Sequence, residues 1–172
     1  MEALKRLIRD VPDFPKPGIV FKDITPLLAD PDGLRATVGA MCLRVRELNV
    51  EHIVGIESRG FIFGVPLALE LGVGFTPVRK PGKLPWRTQS QSYDLEYGQD
   101  TLEIHEDGVQ PGQRVLVVDD LLATGGTLSA TVGLVEALGG RAVACAVVIE
   151  LAFLGGRQRL PDRRVEALFS YS

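Results

Sequence analysis

The stretch RVLVVDDLLATGGT, at residues 114–127, decides the fold that this sequence predicts. Four apolar residues, 115–118, are typical of a strand that is buried on both faces of a parallel sheet. Two adjacent carboxylates, Asp119 and Asp120, follow this strand, and a turn of threonine and glycine leads into a helical segment. Because ligands of open α/β sheets bind beyond the carboxyl ends of the strands, we expect a site in this turn.

The turn TGGT, residues 124–127, predicts an anion site. Its glycines permit positive φ angles, so several backbone N–H groups can converge on one anion at the start of the next helix. Two hydroxyls and these amides match the oxygens of a phosphate monoester, while Asp119 and Asp120 can accept hydrogen bonds from sugar hydroxyls. The segment therefore predicts a ribose-phosphate site. The alternative is an ordinary strand-to-helix turn with Thr127 as its N-cap.

Composition predicts one α/β domain. The 172 residues, 45% of them hydrophobic, suffice for one buried core and are few for two domains. A net charge of -3 argues against a general nucleic-acid or membrane binder, although a local cluster of Arg and Lys can still receive a polyanion. Neither GxxxxGK[ST] nor a GxGxxG after a strand occurs, so neither a P-loop nor a dinucleotide site is predicted.

Cysteine usage and the first residues indicate a cytoplasmic enzyme. Cys42 lies in a helical pattern and Cys145 in an apolar strand, so we expect both to be small buried hydrophobes rather than redox or metal residues. Residues 1–15 intersperse charges among apolar positions, unlike the apolar region of a signal peptide. No apolar stretch approaches membrane-spanning length.

Hydrophobic periodicity predicts strands that alternate with helices. The predicted strands are 52–57, 75–79, 101–105, 115–118 and 141–150. The predicted helices are 2–9, 32–48, 58–71 and 127–139. Such alternation favours a central, mostly parallel sheet flanked by helices, with right-handed crossovers.

Two regions stand apart from this alternation. The segment IVFKDITPLL, at residues 19–28, begins like a strand and ends in a turn, which suggests a flap. Residues 80–100 are polar and rich in turn formers, the composition of a mobile arm. We therefore expect one domain over residues 1–172, with a small N-terminal flap or hood at 1–30 and an arm at 80–100.

Beyond 114–127, the chain resembles the adenine phosphoribosyltransferases, a branch of the type I phosphoribosyltransferase family. Five segments carry this resemblance in order: FPKPGIVFKDITPLL (14–28), IESRGFIFG (56–64), RKPGKLP (79–85), SYDLEYG (92–98) and ELAFLGGRQRL (150–160). The resemblance implies the type I fold. It also implies transfer of the 5-phosphoribosyl group from phosphoribosyl pyrophosphate to N9 of adenine, giving AMP and pyrophosphate.

The resemblance further implies where the two ends of phosphoribosyl pyrophosphate bind. The ribose 5-phosphate residues would be Asp119, Asp120, Ala123, Thr124, Gly125, Gly126 and Thr127. The pyrophosphate residues would be Ser58, Arg59, Gly60, Arg79, Lys80 and Lys83. Arg59 presents a forked guanidinium that can bind two oxygens, and the peptide between Ser58 and Arg59 would be cis. Mg²⁺ would be held mainly by substrate and water rather than by a protein metal site.

The catalytic residues that the resemblance implies are Arg59, Glu96 and Tyr97. Glu96 would transfer the proton at the purine, and Tyr97 would order or shield the closed arm. Tyr93 lies on the same arm, whose closure would exclude the water that competes with adenine. On composition alone, Glu96 is an ordinary surface carboxylate.

Base choice would come from the flap and from residues near the signature strand. Val20 and Lys22 would present backbone groups to the adenine edge, and Phe21 and Leu121 would sandwich the ring. Leu151 would complete the wall. Core packing is the alternative for both Phe21 and Leu151.

Two other functions stay open at this point. One is a phosphoribosyltransferase for a 6-oxopurine or xanthine, since the ribose-phosphate residues do not choose a base. The other is a non-catalytic regulator that senses phosphoribosyl pyrophosphate, which turnover would distinguish. The resemblance also implies a homodimer with small-molecule substrates, and we expect no nucleic-acid or membrane partner.

Overall fold

The computed structural model describes residues 1–94 and 98–172, without the side chain of Asp94. The chain forms two compact units, Met1–Ala40 and Met41–Ser172. The elements, in chain order, are α1 (Glu2–Lys5), β1 (Arg9–Pro12), β2 (Val20–Asp23), α2 (Thr25–Ala29), α3 (Pro31–Val45), β3 (His52–Ile56), α4 (Arg59–Leu71), β4 (Gly74–Val78), β5 (Thr88–Asp94), β6 (Gln99–His105), β7 (Arg114–Leu122), α5 (Gly126–Ala137), β8 (Arg141–Leu151) and β9 (Arg164–Tyr171). Short 3-10 helices follow α3 at Arg46–Leu48 and follow β8 at Ala152–Leu154 and Gly156–Arg159.

The first unit is built around an antiparallel pair of strands, β1 and β2. The helix predicted over residues 2–9 is wrong at its end, because it stops at Lys5 and the chain turns into β1. Pairing with β2 satisfies the backbone there, whereas a helix of two turns is marginal in water. The flap begins as the predicted strand, but the predicted turn at its end is the helix α2, whose start is held by the Asp23 carboxylate bonded to the Thr25 N–H and hydroxyl.

The second unit contains a five-stranded sheet in the order β4-β3-β7-β8-β9. Every neighbouring pair in it is parallel, which confirms the predicted sheet. The edge strand β9 was missed, although its segment RVEALFSY alternates polar and apolar positions except at Leu168, which is a strand pattern. Packing on one side against β8 decides its conformation.

The core of this sheet lies in β7 and β8. Residues 115–118 are 0% exposed, as the apolar run at this position predicts. The strand is longer than predicted, however, because β8 runs beside it as far as the pairing of Leu122 with Glu150. Asp119 and Asp120 are therefore inside the strand rather than in the loop that follows it.

The order of the strands reverses between β3 and β7. From β3 the chain passes through α4 to β4 on one side, whereas β7 leads through α5 to β8 on the other. At such a switch point, the loops that leave the two central strands separate and form a crevice. The starts of α4 and α5 both lie beside this crevice.

The predicted arm at 80–100 contains all of β5, a strand that composition did not predict. β5 pairs antiparallel with β6, with Tyr93 opposite Asp100, and both strands contact α5. Glu96 and Tyr97 lie outside the described residues, between these two strands.

Both cysteines are free. Cys145 is buried in β8, where burial raises the pKa of its thiol to about 12. Cys42 is only half-buried, which corrects the prediction of a buried residue, because α3 leaves this position partly open. Within the described part of the chain, the helices are too short or too polar to cross a lipid bilayer.

Candidate active site

Two adjoining clefts open at the carboxyl ends of β3 and β7. The first has a volume of about 200 Å³ and is lined by Arg59 and by residues 119–125, 127 and 128. The second, of about 330 Å³, shares Arg59, both acids and Thr127 with the first, and adds Glu57, Ser58, Lys80 and Tyr93. The structure therefore brings the predicted ribose-phosphate residues together with part of the predicted pyrophosphate set.

The turn before α5 has the geometry of an anion site. Gly125 is the N-cap of α5 and adopts a φ of 83°, which favours glycine. Because this cap has no side chain to satisfy them, the N–H groups of the first helical turn are left for a ligand. The alternative in which Thr127 is the N-cap is wrong, because Thr127 is the second residue of α5 and Gly125 is the N-cap. The Thr127 hydroxyl donates instead to the Tyr93 phenol oxygen at 3.5 Å.

The two acids of β7 have different electrostatic environments. Asp119 is 9% exposed, and its carboxylate accepts the Asp120 N–H at 2.8 Å. Burial, reinforced by the negative charge of Asp120, raises the pKa of Asp119 well above its usual range. Asp120 is ion-paired with the Arg59 Nε. The carboxyl oxygens of Asp119 and Asp120 both line the first cleft and can accept hydrogen bonds, so this pair suits the hydroxyls of a sugar.

Arg59 reaches this pair because α4 begins very close to β7. A Cβ atom on Gly60 would lie 2.6 Å from the Val118 carbonyl oxygen, so only glycine lets the helix start here. The cis peptide of this loop joins Glu57 to Ser58. The implied cis bond between Ser58 and Arg59 is wrong, because Ser58 is the N-cap of α4 and that bond opens a helix of trans peptides.

The Glu57 carboxylate binds three of the residues predicted to bind pyrophosphate. Its carboxylate accepts hydrogen bonds from the Lys83 Nζ at 2.5 Å, the Lys80 N–H at 2.8 Å and the Arg79 Nε at 3.1 Å. Burial alone would raise the pKa of Glu57, but the bonds from Lys83, Lys80 and Arg79 outweigh it and lower that pKa. Glu57 is therefore charged and neutralises these cations.

Asp100 plays the same part for the Lys80 side chain, which it binds at 2.6 Å. This bond lowers the pKa of Asp100 and raises that of Lys80. The Tyr93 hydroxyl also donates to Asp100, at 3.3 Å, and burial raises the pKa of this phenol. Through Tyr93, the group around Lys80 is connected to Thr127 of the phosphate turn.

Sequence reasoning missed both Glu57 and Asp100 as members of the site. Each binds a cation at least twenty positions away along the chain, and no local pattern encodes such a pair. A signal was present for Glu57, because it is an acid at the end of a buried strand, next to the serine and arginine predicted to bind an anion.

The base-binding candidates fall on different units. Leu121 lines the first cleft, and Leu151 is half-buried at the end of β8. Val20, Phe21 and Lys22 lie on β2 in the other unit, where the Phe21 ring packs edge-on against Phe14, with centroids 5.3 Å apart. The assignment of these residues to adenine stays a prediction.

The donor set of the clefts suits a magnesium ion that keeps most of its own ligands. Among residues 1–94 and 98–172, no three histidine, cysteine or acidic side chains form a metal-binding group. The carboxyl oxygens of Asp119 and Asp120 are hard donors of the kind that Mg²⁺ accepts alongside water and substrate oxygens.

Comparison with known proteins agrees with this geometry. Residues 35–167 match the model of the phosphoribosyl transferase domain. The chain therefore belongs to the phosphoribosyltransferase family.

Within that family, its near relatives are adenine phosphoribosyltransferases. The enzyme of that name from Acaryochloris marina is 59% identical, over 98% of this chain and 99% of that protein. The crystal structure of the Thermoanaerobacter pseudethanolicus enzyme superposes with a TM-score of 0.97 at 50% identity, covering 99% of both chains. The Saccharomyces cerevisiae enzyme, in complex with an imino-altritol bisphosphate and adenine, gives 0.94 at 41% identity, covering 98% of this chain and 97% of that one.

Proposed function

We propose that this protein transfers the 5-phosphoribosyl group of phosphoribosyl pyrophosphate to N9 of adenine, giving AMP and pyrophosphate, a reaction of purine salvage. The observation that carries the proposal is the meeting of Arg59, the Asp119–Asp120 pair and the glycine turn before α5 at one crevice. The names of its relatives support the same reaction.

Ribose 5-phosphate binds in the first cleft. The phosphate lies at the start of α5, where N–H groups of the turn and the Thr124 and Thr127 hydroxyls surround it. Asp119 and Asp120 hold the ribose hydroxyls at the end of β7. Ala123, Gly125 and Gly126 contribute backbone only, and their small size lets the phosphate come close.

The pyrophosphate leaves through the second cleft. As the bond from C1 of the ribose to the pyrophosphate oxygen breaks, C1 becomes cationic and the leaving group gains negative charge. Arg59, Lys80, Arg79 and Lys83 neutralise that charge, after the anion displaces the acids that now bind them. Ser58 and Gly60 bring the backbone of the loop to the same place. When bound, Mg²⁺ held mainly by substrate and water would supply further positive charge there, and the carboxyl oxygens of Asp119 and Asp120 are the donors of this chain that would face it.

The arm at 80–100 carries the proton-transfer step. Glu96 takes the proton that N9 of adenine loses as N9 bonds to C1, and Tyr97 shields the closed arm from water. Replacement of Glu96 by Gln should lower kcat by roughly 100-fold or more, because general-base catalysis contributes that much. Glu106→Gln, an exposed glutamate just beyond β6, is the matched control. Turnover at the wild-type rate in Glu96→Gln would refute this role.

Two sets of residues that the resemblance implies are assigned to adenine. In the first unit, backbone groups of Val20 and Lys22 read the adenine edge and Phe21 packs on the ring. In the second unit, Leu121 and Leu151 supply apolar contacts at the ends of β7 and β8. A 6-oxopurine reverses the donor and acceptor pattern and leaves buried groups unpaired, so it is rejected.

The active form is a cytoplasmic homodimer. Ile62, Val65 and Leu69 of α4 are 37%, 42% and 78% exposed, and their spacing puts them on one helix face. An exposed apolar stripe of this kind supports association of two copies. Sedimentation should give twice the chain mass, and Leu69→Lys should shift it toward the monomer. Two free cysteines are consistent with a reducing compartment.

The test of the reaction is product formation, followed by chromatography. Mg²⁺ and phosphoribosyl pyrophosphate are offered with adenine, hypoxanthine, guanine or xanthine in separate tubes. AMP from adenine alone is the expected result. Conversion of another base would overturn the base assignment and leave the ribose-phosphate assignment intact, whereas no product from any base would indicate a regulator.

A further inference from the structure

The segment ELAFLGGRQRL at 150–160 contains an ion pair that the proposed reaction does not use. Glu150 is the penultimate residue of β8 and is 6% exposed, and it accepts two bonds from Arg157, at 2.6 and 2.9 Å. Arg157 also donates to the Val165 carbonyl of β9 at 3.1 Å. The Glu150 bond raises the pKa of Arg157, and such two-pronged pairs fix orientation as well as charge. The pair therefore holds the chain after β8 in one place.

That chain touches the turn assigned to the 5-phosphate. A Cβ atom on Gly156 would collide with the Ala123 carbonyl oxygen and lie 2.7 Å from the Leu122 Cδ1. A Cβ atom on Gly125 would collide in turn with the Gly156 carbonyl oxygen. The two backbones are in direct contact, with no room for a side chain between them.

Glycine-rich turns do not hold one conformation by themselves. Glycine has more backbone freedom than any other residue type. Gly125 and Gly126 must lose that freedom before their N–H groups can point at one phosphate. Local sequence supplies no stiffening here, since Gly125 has no side chain with which to cap α5. The contact with Gly156 supplies it from a distant part of the chain.

We propose that Arg157 and Gly156 are positioning residues for ribose 5-phosphate. Arg157, held by Glu150, fixes the turn at 155–157, and the backbone of Gly156 then sets the position of Ala123 and Gly125. The proposal rests on the proposed function in one respect, the assignment of this turn to the 5-phosphate.

The first test is Arg157→Lys, which keeps the positive charge but removes the guanidinium that donates two hydrogen bonds to Glu150. We expect the KM for phosphoribosyl pyrophosphate and the Kd for ribose 5-phosphate to rise at least about tenfold, since small misplacements of binding groups are costly. At saturation, kcat should change by less than about threefold, because the reacting centre is not touched. Arg164→Lys is the control, as Arg164 makes a similar 2.7 Å ion pair, with Glu166, on the surface of β9.

The second test is Gly156→Ala, compared with Gly39→Ala, where the added methyl meets no atom within 4 Å. Gly156→Ala should weaken ribose 5-phosphate binding at least as much as Arg157→Lys, and Gly39→Ala should not. If Gly156→Ala fails to fold, Arg157→Lys decides alone. A folded Arg157→Lys with wild-type Kd and KM, and only a lower Tm, would overturn the proposal.

Titration calorimetry with ribose 5-phosphate needs no turnover, so it separates this proposal from the proposed reaction. Failure of the reaction would leave the calorimetric difference between the variants in place. Failure of the positioning role would instead remove that difference and leave AMP formation by the wild-type protein unaffected.

Discussion

The two halves of the site bind anions in different ways. The turn before α5 is made of backbone and glycine, and it is packed against Gly156. The leaving-group half is made of long cationic side chains, 35% to 51% exposed, each paired with an acid of the same chain. The turn before α5 is preformed. The cations of the leaving-group half are neutralised by acids of the same chain until an anion displaces those acids.

The magnitudes explain why both designs can work in one enzyme. Ion pairs with an exposed cation contribute only about 0–1 kcal/mol, and pyrophosphate gives each cation a new anionic partner, so it can displace Glu57 and Asp100. A preformed turn loses little conformational entropy on binding, and it keeps the ribose in place while the leaving group exchanges. A site that holds one substrate fragment and releases the other is expected to combine them.

The largest effect should come from a change that breaks the preformed half. In Gly125→Ala, the added methyl collides with Gly156 and sits at a φ of 83°. We expect the KM for phosphoribosyl pyrophosphate to rise by roughly 100-fold or more. Gly72→Ala has a similar φ of 67° with no atom within 4 Å, so it isolates the backbone strain. Equal KM values in the two variants would contradict the collision argument.

Substitution of the acid pair, Asp119 and Asp120, should have the next largest effect. Asp119→Asn combined with Asp120→Asn removes charged acceptors for the ribose hydroxyls and the Arg59 partner. A hydrogen bond to a charged group is worth about 1.5–3 kcal/mol, and each Asn keeps one acceptor oxygen. The net loss over the pair should therefore be about that of one charged bond, and the affinity for phosphoribosyl pyrophosphate should fall roughly tenfold to 100-fold. Direct binding measurements check this, and unchanged affinity would remove the acids from the ribose site.

A smaller effect is expected from a change in the leaving-group half, whose ion pairs an anion can exchange. Lys83→Gln removes one exposed cation, so inhibition by pyrophosphate should weaken by roughly threefold to tenfold at low salt. The difference should shrink at high salt, because exposed charges are screened. Arg35→Gln, which breaks a surface ion pair with Asp32 on α3, is the control and should leave inhibition unchanged. A salt-independent loss would contradict the exposed, exchangeable character of this half.

The buried acid should make stability depend on pH in one direction. The folded-state pKa of Asp119 is raised, so its favourable contribution is complete below the ordinary value of 3.8 and is lost as pH rises. The Tm of Asp119→Asn minus that of the wild type should therefore increase as pH rises from about 3.8. Thermal unfolding at several pH values tests this, and a difference that falls with pH would contradict it.

Glu57 should show the opposite sign and the smallest effect. Its folded-state pKa is lowered, so the stability that it contributes is complete above the ordinary value of 4.5 and is lost as pH falls through the folded value. The Tm of Glu57→Gln should lie slightly below that of the wild type at neutral pH and converge with it in acid. Divergence in acid would show that the cations do not depend on Glu57.

Local sequence was sufficient where one segment determines its own structure. The buried run at 115–118, the alternation of strands and helices, and the glycine at the start of α5 all follow from periodicity and backbone preference. Local sequence was not sufficient where pairing with another strand determines the structure. The end of α1 and the length of β7 depend on a neighbouring strand that periodicity does not see.

For the site, the sequence by itself determined the acids of β7, the glycine turn and the candidate cations, because short motifs encode these groups. Only the tertiary structure decided that Glu57 and Asp100 hold those cations and that Gly156 braces the turn. The physical reason is the separation along the chain over which each effect acts. Periodicity and turn chemistry act over a few residues, whereas ion pairs and backbone contacts join positions that only the folded sheet brings together.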